Sequence, residues 1–341
     1  VTSDSSDPDA SRADDASPDD GKHDDATAHI DLPGHVRAVR SEIEHQIERA
    51  RADFEHVNER INERSGRNLL MAIAIGLAIG IIVIASLIFI KELFLLFVVP
   101  VCLLGIFEFS RALQASGRRV DIVPQLVAAL ALLLTAYFLA ADTAWVITFA
   151  VVTFVVVWRL IVQMASHDGR RYADVIADVL VAGFVQIYVT FMGSLALVLL
   201  RQEHGELWLL TIISVAVATD TGAYASGVMF GKHPMAPRIS PKKTWEGFAG
   251  AAIASIAVAT AMAALLLHLP WWTGPIVGAA ILASATIGDL GESMIKRDLG
   301  IKDMSSWLPG HGGVLDRLDS LLLSMPAALA LYIVLYPLTV A

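Results

Sequence analysis

The chain has 341 residues, 55% of them hydrophobic and only 17% charged, where an ordinary soluble domain carries about a quarter charged residues. Its mean hydropathy is positive, which places the bulk of it in lipid, and its one cysteine, Cys102, excludes an intrachain disulfide and a multi-cysteine metal centre. The net charge of −9 is local: residues 1–34 hold ten Asp against Arg12 and Lys22, and the remaining body is nearly neutral.

Residues 1–34 are rich in Asp, Ser and Pro and poor in large apolar side chains, so they bury too little surface to offset the entropy of ordering and are expected to form a disordered acidic tail. No basic region followed by an apolar one opens the sequence, so no secretory signal is expected. Across residues 35–66, Val36, Val39, Ile43, Ile47, Ala50, Phe54, Val57 and Ile61 recur at spacings of three and four. This pattern predicts a charged helix with one apolar stripe, suited to a short coiled coil or to the membrane surface.

A helix needs roughly 20 apolar residues to span the hydrocarbon core. On that criterion the sequence predicts an all-α polytopic membrane protein with about nine spans: 69–90, 93–109, 122–140, 144–164, 175–200, 207–229, 248–267, 272–290 and 321–340. Residues 67–172 form the N-terminal transmembrane helices and 173–341 a second transmembrane domain that carries the chemistry. With the N-terminus placed in the cytoplasm, the inner loops collect Arg111, Arg118 and Arg119, then Arg170 and Arg171, then Lys232, Arg238, Lys242 and Lys243, then Lys296, Arg297 and Lys302. The outer loops hold few cations, as expected if basic residues stay on the cytoplasmic side.

Three segments carry candidate chemistry. Asp220 of TDTGAY lies in an apolar stretch, where an ionisable group costs about 2.5–3.5 kcal/mol on insertion scales and marks a functional position by default. The next loop, GKHPMAPRISPKKTWEG, joins Lys242 and Lys243 to the hydroxyls of Ser240 and Thr244; a cationic cluster alone also suits a lipid-headgroup patch. The third runs from Gly288 to Ser320 as GDLGESMIKRDLGIKDMSSWLPGHGGVLDRLDS. A continuing helix puts Asp289, Glu292, Ser293 and Lys296 on one face. Gly312 and Gly313 permit a backbone amide nest for a phosphate before a new helix, on which Asp316 and Asp319 lie one turn apart. Carboxylates from two helices with Lys and Arg nearby have the composition of a magnesium–polyphosphate site, because hard cations take oxygen ligands and lysines neutralise phosphate oxygens.

Ser293-x-x-Lys296-Arg297, Lys302-Asp303, Pro309-x-His311-Gly312-Gly313 and Asp316-Arg317-x-Asp319 resemble the full signature of the phosphatidate cytidylyltransferases, the CDP-diacylglycerol synthases. The resemblance extends back through Asp220 and covers roughly 175–341. It implies transfer of CMP from CTP to phosphatidic acid at the cytoplasmic face of the cell membrane, with Mg2+ required and a monovalent cation such as K+ as its companion. A homodimer is implied by the resemblance alone, and no nucleic-acid partner is expected. The expected metal ligands are Asp289, Asp316, Asp319 and Asp220. Lys296 and Arg317 join Asp289 and Asp316 as catalytic residues, while Lys242, Lys243, Thr244, Ser293, Arg297, Lys302, His311, Gly312 and Gly313 bind nucleotide or phosphate, His311 as a hydrogen-bonding group rather than a base. Two rivals stand beside this reading: a CTP-dependent polyprenol or phytol kinase, which would release CDP, and a secondary transporter using Asp220 along a substrate path.

Overall fold

The computed structural model describes residues 69–166, 169–305 and 312–339. The acidic tail, the charged helix expected at 35–66, and His311 lie outside the described residues, and every described element belongs to one compact unit, Arg60–Ala341.

Among the described residues the chain forms nine helical rods. They are α1 (Leu69–Phe89), α2 (Lys91–Ala115), α3 (Ile122–Phe138), α4 (Ala141–Ala165), a rod made of α5 (Tyr172–Val185) and α6 (Met192–Leu200), α7 (Gly205–Phe230), α8 (Trp245–Leu265), α9 (Thr273–Asp298) and α10 (Leu315–Leu335). A π-helical turn, Gln186–Phe191, joins α5 to α6. Seven of the rods are long and apolar enough to cross a membrane; α1 and the 17-residue α3 are apolar but fall outside that set. Many large apolar side chains point outward, among them Phe149, Phe154, Trp158 and Ile161 of α4, the arrangement expected where the solvent is lipid.

Two helix limits around the charged segment between α9 and α10 depart from the expectation. The helices α9 and α10 run into charged sequence, α9 to Asp298 rather than Leu290 and α10 from Leu315 rather than Leu321. Hydropathy locates the apolar stretch, whereas backbone hydrogen bonding continues beyond it wherever the polar side chains find partners. The loop after α7 is not wholly irregular, since β1 (Pro234–Ala236) pairs antiparallel with β2 (Ser240–Thr244). Thr244 then caps α8 by accepting a hydrogen bond from Gly247 N at 3.1 Å, and Glu246 Oε2 accepts from the amides of Lys232 (3.1 Å) and His233 (3.2 Å). The order Thr-Trp-Glu-Gly thus both starts a helix and closes the base of the hairpin.

Packing in the second half relies on small residues that bring backbones together, as membrane helices do when lipid supplies no hydrophobic drive between them. A Cβ on Gly222 of α7 would lie 2.8 Å from Gly250 O of α8, and one on Gly288 of α9 would lie 2.4 Å from Asp319 O of α10. A core cluster of Ile106, Phe109, Val185, Tyr188, Leu315 and Leu322 joins α2, the α5–α6 rod and α10 beneath the polar residues. At the opposite end Lys91 and Glu206, at the starts of α2 and α7, form an ion pair of 2.6 Å.

Candidate active site

The helical spacing of three and four on α9 becomes a polar edge against α10. Lys296 lies between two carboxylates, 2.6 Å from Glu292 Oε2 on its own helix and 2.8 Å from Asp316 Oδ1 on α10. Glu292 is fully buried and the side chains of Lys296 and Asp316 are nearly so, so this triad carries a large desolvation cost that only its mutual pairing offsets. Asp316 also receives backbone donors: Met304 N at 3.0 Å and Gly313 N at 2.7 Å, both to Oδ2. The anion that the Gly313 amide meets here is therefore the Asp316 carboxylate. Gly312 adopts a left-handed φ of 81°, which is why glycine suits this turn.

Asp289 stands one turn before Glu292 and pairs with Lys243 of β2, while Ser293 Oγ approaches it at 3.4 Å. Asp319 is buried, and its Oδ1 accepts from Ser320 N at 2.6 Å. Asp220, open on α7, lies within electrostatic reach of both Asp289 and Asp319, with Lys243 and Arg317 opposing their charge. Three of the expected carboxylates thus share one acidic pole between α7, α9 and α10, faced by the cationic hairpin.

The other expected residues form the rim. Lys242, Arg297, Lys302 and Arg317 are exposed, and Arg297 Nε donates to Ile239 O at 3.3 Å, tethering the hairpin to α9. Thr244 is engaged as the cap of α8. The donor set of the pole suits a hard divalent cation, being all oxygen and several-fold negative, and beside it Glu292 Oε1 is buried with no hydrogen-bond partner among the described residues. As placed, no three His, Cys, Asp or Glu groups converge on a metal position among the described residues.

Two further residues, Glu108 of α2 and Tyr188 of the π-helical turn, reach this region without having been expected there. Glu108 of α2 accepts from Ser305 Oγ at 2.5 Å and from Leu315 N at 3.0 Å. Its signal was legible, because it is a lone carboxylate in an apolar run and the rule that singled out Asp220 applies equally to it. Tyr188 sits in the π-helical turn with its hydroxyl buried and unpartnered among the described residues, within electrostatic reach of Glu292, Asp319, Asp289 and Asp316. Such turns recur at functional sites, but nothing in its local sequence separates this tyrosine from a core aromatic.

The profile of the cytidylyltransferase family matches residues 70–335. The chain is 38% identical over 281 residues to a phosphatidate cytidylyltransferase of Mycobacterium bovis, covering 80% of this chain and 90% of that one. It is 34% identical over 273 residues to a protein of the same description from Mycobacterium leprae, covering 78% and 88%. A shorter match, 44% identical over 128 residues, links it to one from Haemophilus influenzae, covering 36% of this chain and 44% of that one. The similarity spans the helices that supply Glu108 and Tyr188 as well as those that supply the acidic pole, and the chain belongs to the phosphatidate cytidylyltransferase family.

Proposed function

We propose that the protein transfers CMP from CTP to phosphatidic acid, releasing pyrophosphate and forming CDP-diacylglycerol. The observation that carries this reading is the acidic pole of Asp220, Asp289 and Asp319 set against Lys243 and the exposed cations Lys242, Arg297, Lys302 and Arg317 at one end of the transmembrane bundle. That arrangement suits a polyphosphate and a lipid headgroup meeting at a membrane surface. The same end carries the basic loops after α2 and before α5, joined where Arg119 N donates to Asp178, which supports a cytoplasmic orientation.

The reaction is an in-line displacement. An oxygen of the lipid phosphate forms a bond to the α-phosphorus of CTP, the bond between that phosphorus and the bridging oxygen to the β-phosphate breaks, and the electron pair leaves with pyrophosphate. A phosphate monoester has its second pKa near ~6 and is mostly dianionic at neutral pH, so no general base is required. Asp289, Asp319 and Asp220 would hold magnesium, which when bound neutralises charge on the triphosphate and leaving group. Lys242, Lys302 and Arg317 supply fixed positive charge to the two polyanions. In this arrangement Lys296 joins α9 to α10, and Asp316 fastens the glycine turn.

The test is product analysis with α-labelled CTP, phosphatidic acid and magnesium, comparing the unaltered protein with Asp289→Asn. Label in CDP-diacylglycerol, lost in the folded variant, supports the reading; label appearing only in CDP would convert it to a lipid kinase.

A further inference from the structure

Glu108 has no part in the displacement just described, yet its carboxylate is held inside the bundle at 2% exposure. A leucine there would be cheaper, because a carboxylate buried in an apolar interior is costly unless it is hydrogen-bonded or paired. What it touches accounts for the cost. One oxygen accepts the Ser305 hydroxyl and the other accepts the amide of Leu315, the first residue of α10. The first amides of a helix have no partner within the helix, and α10 has no side-chain cap of its own, since Val314 precedes it. Glu108 supplies from α2, 207 positions away, the acceptor that a capping Ser or Asp supplies locally.

The neighbouring turn is shaped around it. A Cβ on Gly313 would come within 2.8 Å of Glu108 Oε2, so the absence of a side chain there admits the carboxylate. On the other side Asp316 takes the amides of Met304 and Gly313. Two carboxylates therefore fasten Met304 and Ser305 to Gly313 and Leu315, and the turn they hold leads directly into Asp316 and Asp319.

We propose that Glu108 is a positioning residue for the transferase site, acting through Ser305 and Leu315 to fix the first turn of α10, and with it Asp316 and Asp319, against α9. This rests on the proposed transferase reading only for its kinetic consequence; the clamp itself is a statement about the folded chain.

The experiment measures backbone amide exchange of the full chain in lipid nanodiscs, without substrate, for Glu108→Leu, Glu108→Gln and Ser305→Ala, together with kcat and KM for CTP. In Glu108→Leu, peptides covering 312–320 exchange at least about tenfold faster while those of α8 are unchanged. Loss of a charge-assisted hydrogen bond lowers kcat roughly ten- to a hundredfold, with KM for CTP moving less than about threefold. Gln restores most of both, because its carbonyl oxygen can accept from Leu315 N while its amide donates to Ser305 Oγ. Unchanged exchange at 312–320, a Gln variant as impaired as the Leu variant, or an effect confined to KM would each overturn the proposal. If Glu108→Leu does not fold, Ser305→Ala decides: faster exchange confined to that turn supports the clamp, and none overturns it. Faster exchange in a chain that makes no CDP-diacylglycerol leaves the clamp standing and removes the transferase reading.

Discussion

Gly288 of α9 presses against the backbone of Asp319 on α10, where a Cβ would lie 2.4 Å from the carbonyl oxygen. This contact sets the separation of the two helices that carry Asp289, Glu292, Asp316 and Asp319, and a rigid backbone atom cannot yield as a side-chain tip can. Gly288→Ala is expected to push α9 from α10, lowering kcat by more than about tenfold, with a destabilisation of about 1–3 kcal/mol from overpacking. Gly80→Ala, where a Cβ meets nothing within 4 Å, is the control and leaves turnover unchanged. Steady-state assays with thermal unfolding in detergent check both.

Lys296 neutralises two buried carboxylates at once. Lys296→Met leaves Glu292 and Asp316 without a counter-charge, and breaking a buried pair this way costs about 3–5 kcal/mol. Adding Glu292→Gln removes one of the stranded charges and should recover part of the loss. A double-mutant cycle on the unfolding midpoint measures the coupling; strictly additive effects would show that the pair does not interact.

Lys243 pairs with Asp289, so in the proposed site it would both offer charge to the nucleotide and compete for a metal ligand. Lys243→Gln is expected to raise KM for CTP about tenfold or more, by loss of a charge-assisted contact, while the magnesium concentration needed for half-maximal activity falls. Asp289→Asn moves the magnesium requirement the other way. Magnesium titrations at fixed CTP separate the two; parallel shifts would remove Asp289 from the metal centre.

Removal of divalent cations with EDTA should abolish CDP-diacylglycerol formation, and returned magnesium should restore it, since the acidic pole cannot itself offset triphosphate charge. Undiminished turnover in EDTA would refute metal assistance at this site.

Thr244→Ala deletes the cap of α8 and should cost about 1 kcal/mol, the usual value for losing an N-cap hydroxyl, whereas Thr244→Ser keeps it. A kcat loss in the Ala variant well beyond that stability change would mean that the hydroxyl also meets a phosphate.

The sequence by itself determined the membrane character, the placement of the helical rods and the polar face of α9. Each of these depends on local composition or on spacing within one element: a long apolar run must be helical in lipid to satisfy its backbone, and residues three or four apart on a helix share a face. The charged stretch from Asp289 to Asp319 was legible as a candidate site because so many ionisable groups beside apolar runs are costly without partners. Only the tertiary structure decided which partners those groups choose. Lys296 reads as a catalytic cation, and the fold sets it between Glu292 and Asp316; Gly313 reads as part of a nest for a phosphate, and the fold turns its amide to Asp316. Glu108 reads as an isolated acid in a distant helix until the fold brings it to Ser305 and Leu315. Hydrogen-bond partners across 20 to 207 positions follow from how the helices pack, and that packing turns on close backbone contacts such as Gly288 with Asp319, which no local pattern encodes.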